Sequence, residues 1–79
     1  MSPTVFRFKD YRFFFFSREE SRIHVHISSP KGEAKFSLEP TTSLADFEGY
    51  KERELRQLQI LVDSRKHEII KAWKKHFKG

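Results

Sequence analysis

Residues 22–29 read Arg-Ile-His-Val-His-Ile-Ser-Ser, and the strict alternation of this stretch decides the fold. Successive strand side chains point to opposite faces, so Ile23, Val25 and Ile27 share one side and His24, His26 and Ser28 the other. A strand with one apolar and one polar side belongs to a sheet covered on one face only. The same alternation sets two imidazoles side by side. No other segment gathers groups that exchange protons or bind metal near neutral pH in this way.

Outward from this strand the alternation recurs in both directions. Tyr11 to Ser17 is expected to be a strand filled on both faces by Phe13 to Phe16, and therefore the most central one. Before it, Thr4 to Lys9 sets Phe6 and Phe8 against Val5, Arg7 and Lys9, with Lys9-Asp10 as the turn that joins the two strands. After the His strand, Ser29-Pro30-Lys31-Gly32 forms a turn in which proline ends the ladder and Gly32 supplies any positive φ required. Glu33 to Glu39 then opposes Ala34, Phe36 and Leu38 to Glu33, Lys35 and Ser37. The apolar sides must share one core, so hairpin register places Lys35 and Ser37 on the face of His24 and His26.

Residues 40–50 are expected to form a loop anchored by Leu44, Phe47 and Tyr50. From Lys51 the apolar spacing becomes helical, through Leu55, Leu58, Leu61, Val62, Ile69, Ile70, Trp73 and Phe77. Asp63 and Ser64 are good capping residues and the stripe is blank from Ser64 to Glu68, so the segment is either one helix or two broken there. An unbroken helix would reach roughly 40 Å, about twice the length of the strands. The predicted architecture is α+β: residues 1–79 as a single domain, with an antiparallel β-meander of three to four strands over 4–39. A loop over 40–50 follows, then a C-terminal α-helical segment over 51–77 packed on one face.

Composition narrows the class. There is no cysteine, so no disulfide staples this short chain, and nine phenylalanines, two tyrosines and one tryptophan supply core area instead. The amino terminus does not resemble a signal peptide and Phe13 to Phe16 is too short to cross a bilayer, so a cytoplasmic protein without membrane contact is expected. With Met1 as its single methionine, the chain is expected to be a complete small gene product. The net charge of +5 is uneven: residues 1–63 are balanced, whereas Arg65, Lys66, Lys71, Lys74, Lys75 and Lys78 stand against Glu68 alone. Such a segment attracts phosphate backbones or an acidic partner; alternatively its cations complement the dipole at a helix carboxyl end.

Several stretches together carry a resemblance: Ser-Pro-Thr-Val-Phe-Arg-Phe, Tyr-Arg-Phe-Phe-Phe-Phe-Ser, His-Val-His-Ile, Gly-Glu-Ala-Lys-Phe-Ser-Leu-Glu-Pro, Arg-Glu-Leu and Ala-Trp-Lys-Lys-His-Phe. In this order they resemble the bacterial domain of unknown function 4160 family over nearly the whole chain. The resemblance implies a component of a two-gene, toxin-antitoxin-like pair with a companion protein from a neighbouring gene. Two positions depart from the family pattern, Ile23 where proline usually precedes the His-x-His pair and Lys51 where serine often starts the helix.

Three chemistries fit the His pair. As general acid and base, His24 and His26 would activate a ribose 2′-hydroxyl and protonate the leaving oxygen of RNA, with Lys35, Arg12 and Ser37 binding the phosphate. Neighbours on one strand face lie roughly 7 Å apart, enough to flank one phosphate. As metal ligands the pair would need a third partner, for which Glu33 is nearest, so no metal and no cofactor are expected. In the structural alternative both histidines sit half exposed and hydrogen-bonded to Glu33 or Ser37. Trp73 and Phe77 belong to the helix core. Phe14 and Phe16 fall on the opposite side from Phe13, and unless this chain covers them they form an aromatic patch. The leading expectation is an RNA-binding or RNA-cleaving component of a toxin-antitoxin-like pair. The alternative is a non-catalytic interaction module binding a companion protein through Phe14, Phe16 and the basic helix residues Lys71, Lys74 and Lys75.

Overall fold

The structure is a computed structural model and describes residues 4–15 and 22–77. Five antiparallel strands lie side by side in chain order: β1 (Thr4–Phe8), β2 (Tyr11–Phe14), β3 (His24–Ser29), β4 (Gly32–Ser37) and β5 (Ser43–Glu48). Two helices follow, α1 (Glu52–Ser64) and α2 (Lys66–His76). The α+β architecture is as the alternation predicts, with one strand more than the three to four expected. The extra strand, β5, occupies what the sequence presents as a loop over 40–50.

The hidden strand has a physical cause. Lys35 pairs with Asp46 but Phe36 pairs with Leu44, so Ala45 is an extra residue bulged out of the ladder. A bulge resets the alternation by one position. Leu44 and Phe47 thereby face the same side although they stand three apart, a spacing that does not announce a strand. The central position also falls differently: β3, not the phenylalanine-rich β2, is the middle strand. β2 is nonetheless buried on both sides, Phe13 stacking on Phe6 at 4.3 Å and Phe14 on the His26 ring at 5.5 Å.

Turn chemistry fixes the hairpins. Lys9 takes a positive φ of 56° between β1 and β2, where glycine or asparagine would be less strained. In the β3–β4 turn, Gly32 does not supply a positive φ. Its role is close approach: a Cβ there would lie 2.0 Å from the Glu48 carbonyl oxygen. Gly49 meets it from the other side with φ 89°, and its own added Cβ would lie 2.3 Å from the Lys31 carbonyl oxygen. The β3–β4 turn and the exit of β5 thus cross backbone on backbone. Tyr50 pins the crossing, its hydroxyl hydrogen-bonded to Ser29 Oγ at 2.6 Å and to the Gly32 carbonyl at 3.0 Å.

The inner face of the sheet is closed by the helices. Leu55, Leu58 and Val62 of α1 and Ile69 and Trp73 of α2 bury against Phe13, Phe15, Val25, Ile27, Phe36 and Leu38. Lysine at the α1 N-cap offers no acceptor, so only the reciprocal half of a capping box forms, Lys51 N–H donating to Glu54 Oε1 at 2.8 Å. Glu54 also pairs with Lys31, tying the helix start to the β3–β4 turn. The helical segment is two helices. Arg65, with φ −109° and ψ 17°, breaks it directly after Ser64, whose hydroxyl donates to the Leu61 carbonyl at 2.8 Å. The break lets both stripes reach the sheet, and Arg65 lays its guanidinium 4.4 Å over the Phe6 ring.

Candidate functional site on the outer face of the sheet

Strand register assembles the outer face in rows. His24 pairs with Ser37 and then Ser43; Phe14 pairs with His26, then Lys35, then Asp46; Arg7 pairs with Arg12, then Ser28, Glu33 and Glu48. His24, His26, Lys35, Ser37, Arg12 and Phe14 therefore share one face, as alternation requires. Phe16 lies outside the described residues. Lys71, Lys74 and Lys75 are exposed on α2, away from these rows, on the side opposite buried Ile69 and Trp73.

The two histidines have different surroundings. His24 is only 3% exposed, and its Nδ1–H donates to the Arg22 carbonyl at 3.0 Å, since a carbonyl oxygen can only accept. Its ring meets Trp73 at 5.3 Å and stands edge-on to His26 at 5.1 Å. His24 thus closes the end of an aromatic cluster in which Trp73 also contacts Phe15 and Phe77. His26 is half-buried and lies against Phe14.

Phe14 does not present an aromatic patch. It is 8% exposed, with the His26 ring on one side and the Arg12 guanidinium 4.6 Å from its centroid. Arg12 itself donates through Nε to Thr4 Oγ1 at 2.8 Å. The chain itself therefore covers this aromatic residue. Ser37 donates its hydroxyl to the Glu39 carbonyl at 3.0 Å.

Beside His26 a shallow depression of about 380 Å³ is lined by Glu33, Lys35, Asp46, Phe47 and Glu48. Lys35 is flanked there by carboxylates, an environment that repels phosphate rather than collecting it. Among the described residues no three His, Cys, Asp or Glu side chains cluster as a metal site. Asp46 and Glu48 join this face through a strand that the sequence presents as loop, and the out-in-out order of Asp46-Phe47-Glu48 is its signal.

Lys31, Tyr50 and Glu54, all around the β3–β4 turn, carry displaced pKa values. The hydrogen-bonded Lys31 ammonium, then the Lys51 N–H, hold the Glu54 carboxyl below its usual range, and Glu54 in turn raises Lys31. Burial pushes Tyr50 up, partly countered by its bond to Ser29.

The family model of the domain of unknown function (DUF4160) matches residues 10–74. The chain belongs to this family. Its match spans β2 to β5, α1 and most of α2, and takes in His24, His26 and the acidic depression, whereas β1 precedes it. Neither a curated protein nor a solved structure matches the DUF4160 chain. No helix is long and apolar enough to cross a membrane among the described residues.

Proposed function

We propose that this DUF4160 chain is a non-catalytic binding module that works in the cytoplasm, with the exposed ridge of α2 as its docking surface for a companion protein. The observation that carries this reading is the placement of Lys71, Lys74 and Lys75, all exposed on the helix side opposite Ile69 and Trp73. An acidic surface is the complement of such a ridge. The companion implied by the family resemblance, encoded beside this gene in a toxin-antitoxin-like pair, is the natural occupant.

RNA chemistry is the weaker reading for stated reasons. Single-stranded RNA is held by stacking bases on accessible aromatic rings beside cations; Phe14 and Trp73 are buried, and the exposed Phe47 stands between the carboxylates Asp46 and Glu48. The acid-base pair would need His24 to reach substrate, yet its ring is enclosed between Trp73 and His26. What favours RNA is that His26, Lys35 and His24 do share one face.

The test is co-purification with the neighbouring gene product. Lys71→Glu/Lys74→Glu/Lys75→Glu is expected to abolish the complex while the protein stays folded, and native protein is expected to leave total RNA intact with or without chelator. Cleavage of RNA that disappears in His24→Ala/His26→Ala would overturn the proposal.

A further inference from the structure

The outer face of the sheet is electrically divided. In the row Arg7, Arg12, Ser28, Glu33, Glu48 the basic residues occupy β1 and β2 and the acidic ones β4 and β5. Each edge strand therefore holds a like-charge pair with its neighbour, Arg7 across from Arg12 and Glu48 across from Glu33. Like charges directly opposite one another in a sheet are unfavourable. Arg7, Glu33, Asp46 and Glu48 are all exposed.

The inner face of both edges is incomplete in the same way. Phe8 on β1 is 37% exposed, and on β5 Leu44 is 36% and Phe47 51% exposed. Beyond Leu44 and Phe47, a groove of about 390 Å³ runs along α1 past Leu55 and Gln59. β1 therefore reads apolar-in, basic-out, apolar-in over Phe6, Arg7 and Phe8. β5 reads acidic-out, apolar-in, acidic-out over Asp46, Phe47 and Glu48.

We infer that the β5 edge of one copy of this chain binds the β1 edge of a second copy, extending the sheet head to tail. Five alternating antiparallel strands leave β1 and β5 running in the same direction. With the helices kept on one side, the incoming β1 must pair parallel to β5. Setting Arg7 beside Glu48 sets Phe6 beside Phe47, which joins opposite charges on one face and aromatic rings on the other, whereas a one-residue slip loses both. Pairing β5 with β5 would instead bring four carboxylates together.

The contact is short and reversible. Bulges at Val5 and Ala45 confine the regular edges to Phe6–Phe8 and Asp46–Glu48. Asp46 already accepts the Phe47 N–H at 2.9 Å, which leaves Glu48 as the carboxylate for Arg7. Because the two surfaces differ, each contact leaves one β1 edge and one β5 edge for further copies, so the assembly does not end at a dimer. It uses neither α2 nor its lysines, so it stands apart from the companion-binding surface.

Sedimentation equilibrium of the purified chain over a wide concentration range tests the proposal. Native protein is expected to rise in average mass without a plateau at dimer. Arg7→Glu alone, or Glu48→Arg alone, is expected to weaken association roughly tenfold or more. Each removes a like-charge pair within the monomer, so the unfolding midpoint should hold or rise. Mixing the two variants should restore association, because the reversed β1 then fits the reversed β5. Native protein that stays monomeric throughout, a plateau at dimer, or a mixture that fails to associate would each overturn the proposal. None of those outcomes touches companion binding, which is read from co-purification.

Discussion

In β3 the apolar residues Val25 and Ile27 alternate with polar ones and are fully buried, whereas every residue of β5 is exposed and its large apolar residues stand three apart. β3 has neighbours on both edges, a helix-covered inner face and an aromatic cluster at its beginning. β5 has one neighbour, a bulge and an inner face that α1 leaves partly open. The residue types in the two strands do not account for this contrast. Neighbours on both edges bury most of β3, His24 included, whereas β5, with one neighbour, stays exposed.

The contrast can be broken by substitution. Ile27→Ala is expected to cost about 2–5 kcal/mol in denaturant unfolding, while Phe47→Ala should stay within about 1 kcal/mol. Equal losses would mean that β5 contributes to the core as β3 does. Gly32→Ala forces a Cβ against the Glu48 carbonyl and should cost on the order of 2–3 kcal/mol, measured in the same way. A neutral result would show that the turn and the β5 exit do not cross so closely.

Tyr50→Phe removes the hydrogen bonds to Ser29 and Gly32 at that crossing and should cost about 1 kcal/mol. Burial raises the folded pKa of Tyr50 above 10.0, so its contribution is complete below that value and lost as pH rises through the raised one. The variant should therefore lose less stability on alkalinisation than the native chain. The smallest effect is expected at Glu54, whose folded pKa lies below 4.5 chiefly through Lys31. Its stabilisation is present above 4.5 and lost as pH falls through the lowered value, so Glu54→Gln should flatten the acid limb of a stability-pH profile. Its partner Lys31, raised above 10.5, loses its share as pH rises through that folded value. An unchanged acid limb would mean that the pair is screened by solvent.

Legibility followed regularity. The strands around Val25 and Phe36 were readable because their alternation is unbroken where they meet, those around Phe6 and Phe13 despite the bulge at Val5, and from the alternation followed the shared face of Lys35 and Ser37 with His24 and His26. β5 was hidden by one extra residue, Ala45, and by flanking Pro40 and Gly49, which look like loop. At Asp63-Ser64 the capping residues and blank stripe mark where a break can fall without deciding between one helix and two, and the residue that leaves helical geometry is Arg65. The burial of His24 was not readable, since its cover includes Trp73, distant in sequence. Phe14 likewise depends on Arg12 and His26 folding over it, a consequence of register rather than composition.

Residue-resolved amide hydrogen exchange, followed at low and high protein concentration, tests most directly whether β3 is closed and β5 open. Amides of Val25 and Ile27 are predicted to exchange slowly and equally at both concentrations. Those of Asp46 to Glu48 should exchange fast when dilute and slow on concentration, together with Phe6 to Phe8 of β1. Protection of β5 that matches β3 and ignores concentration would contradict the division between a structural strand and an open edge.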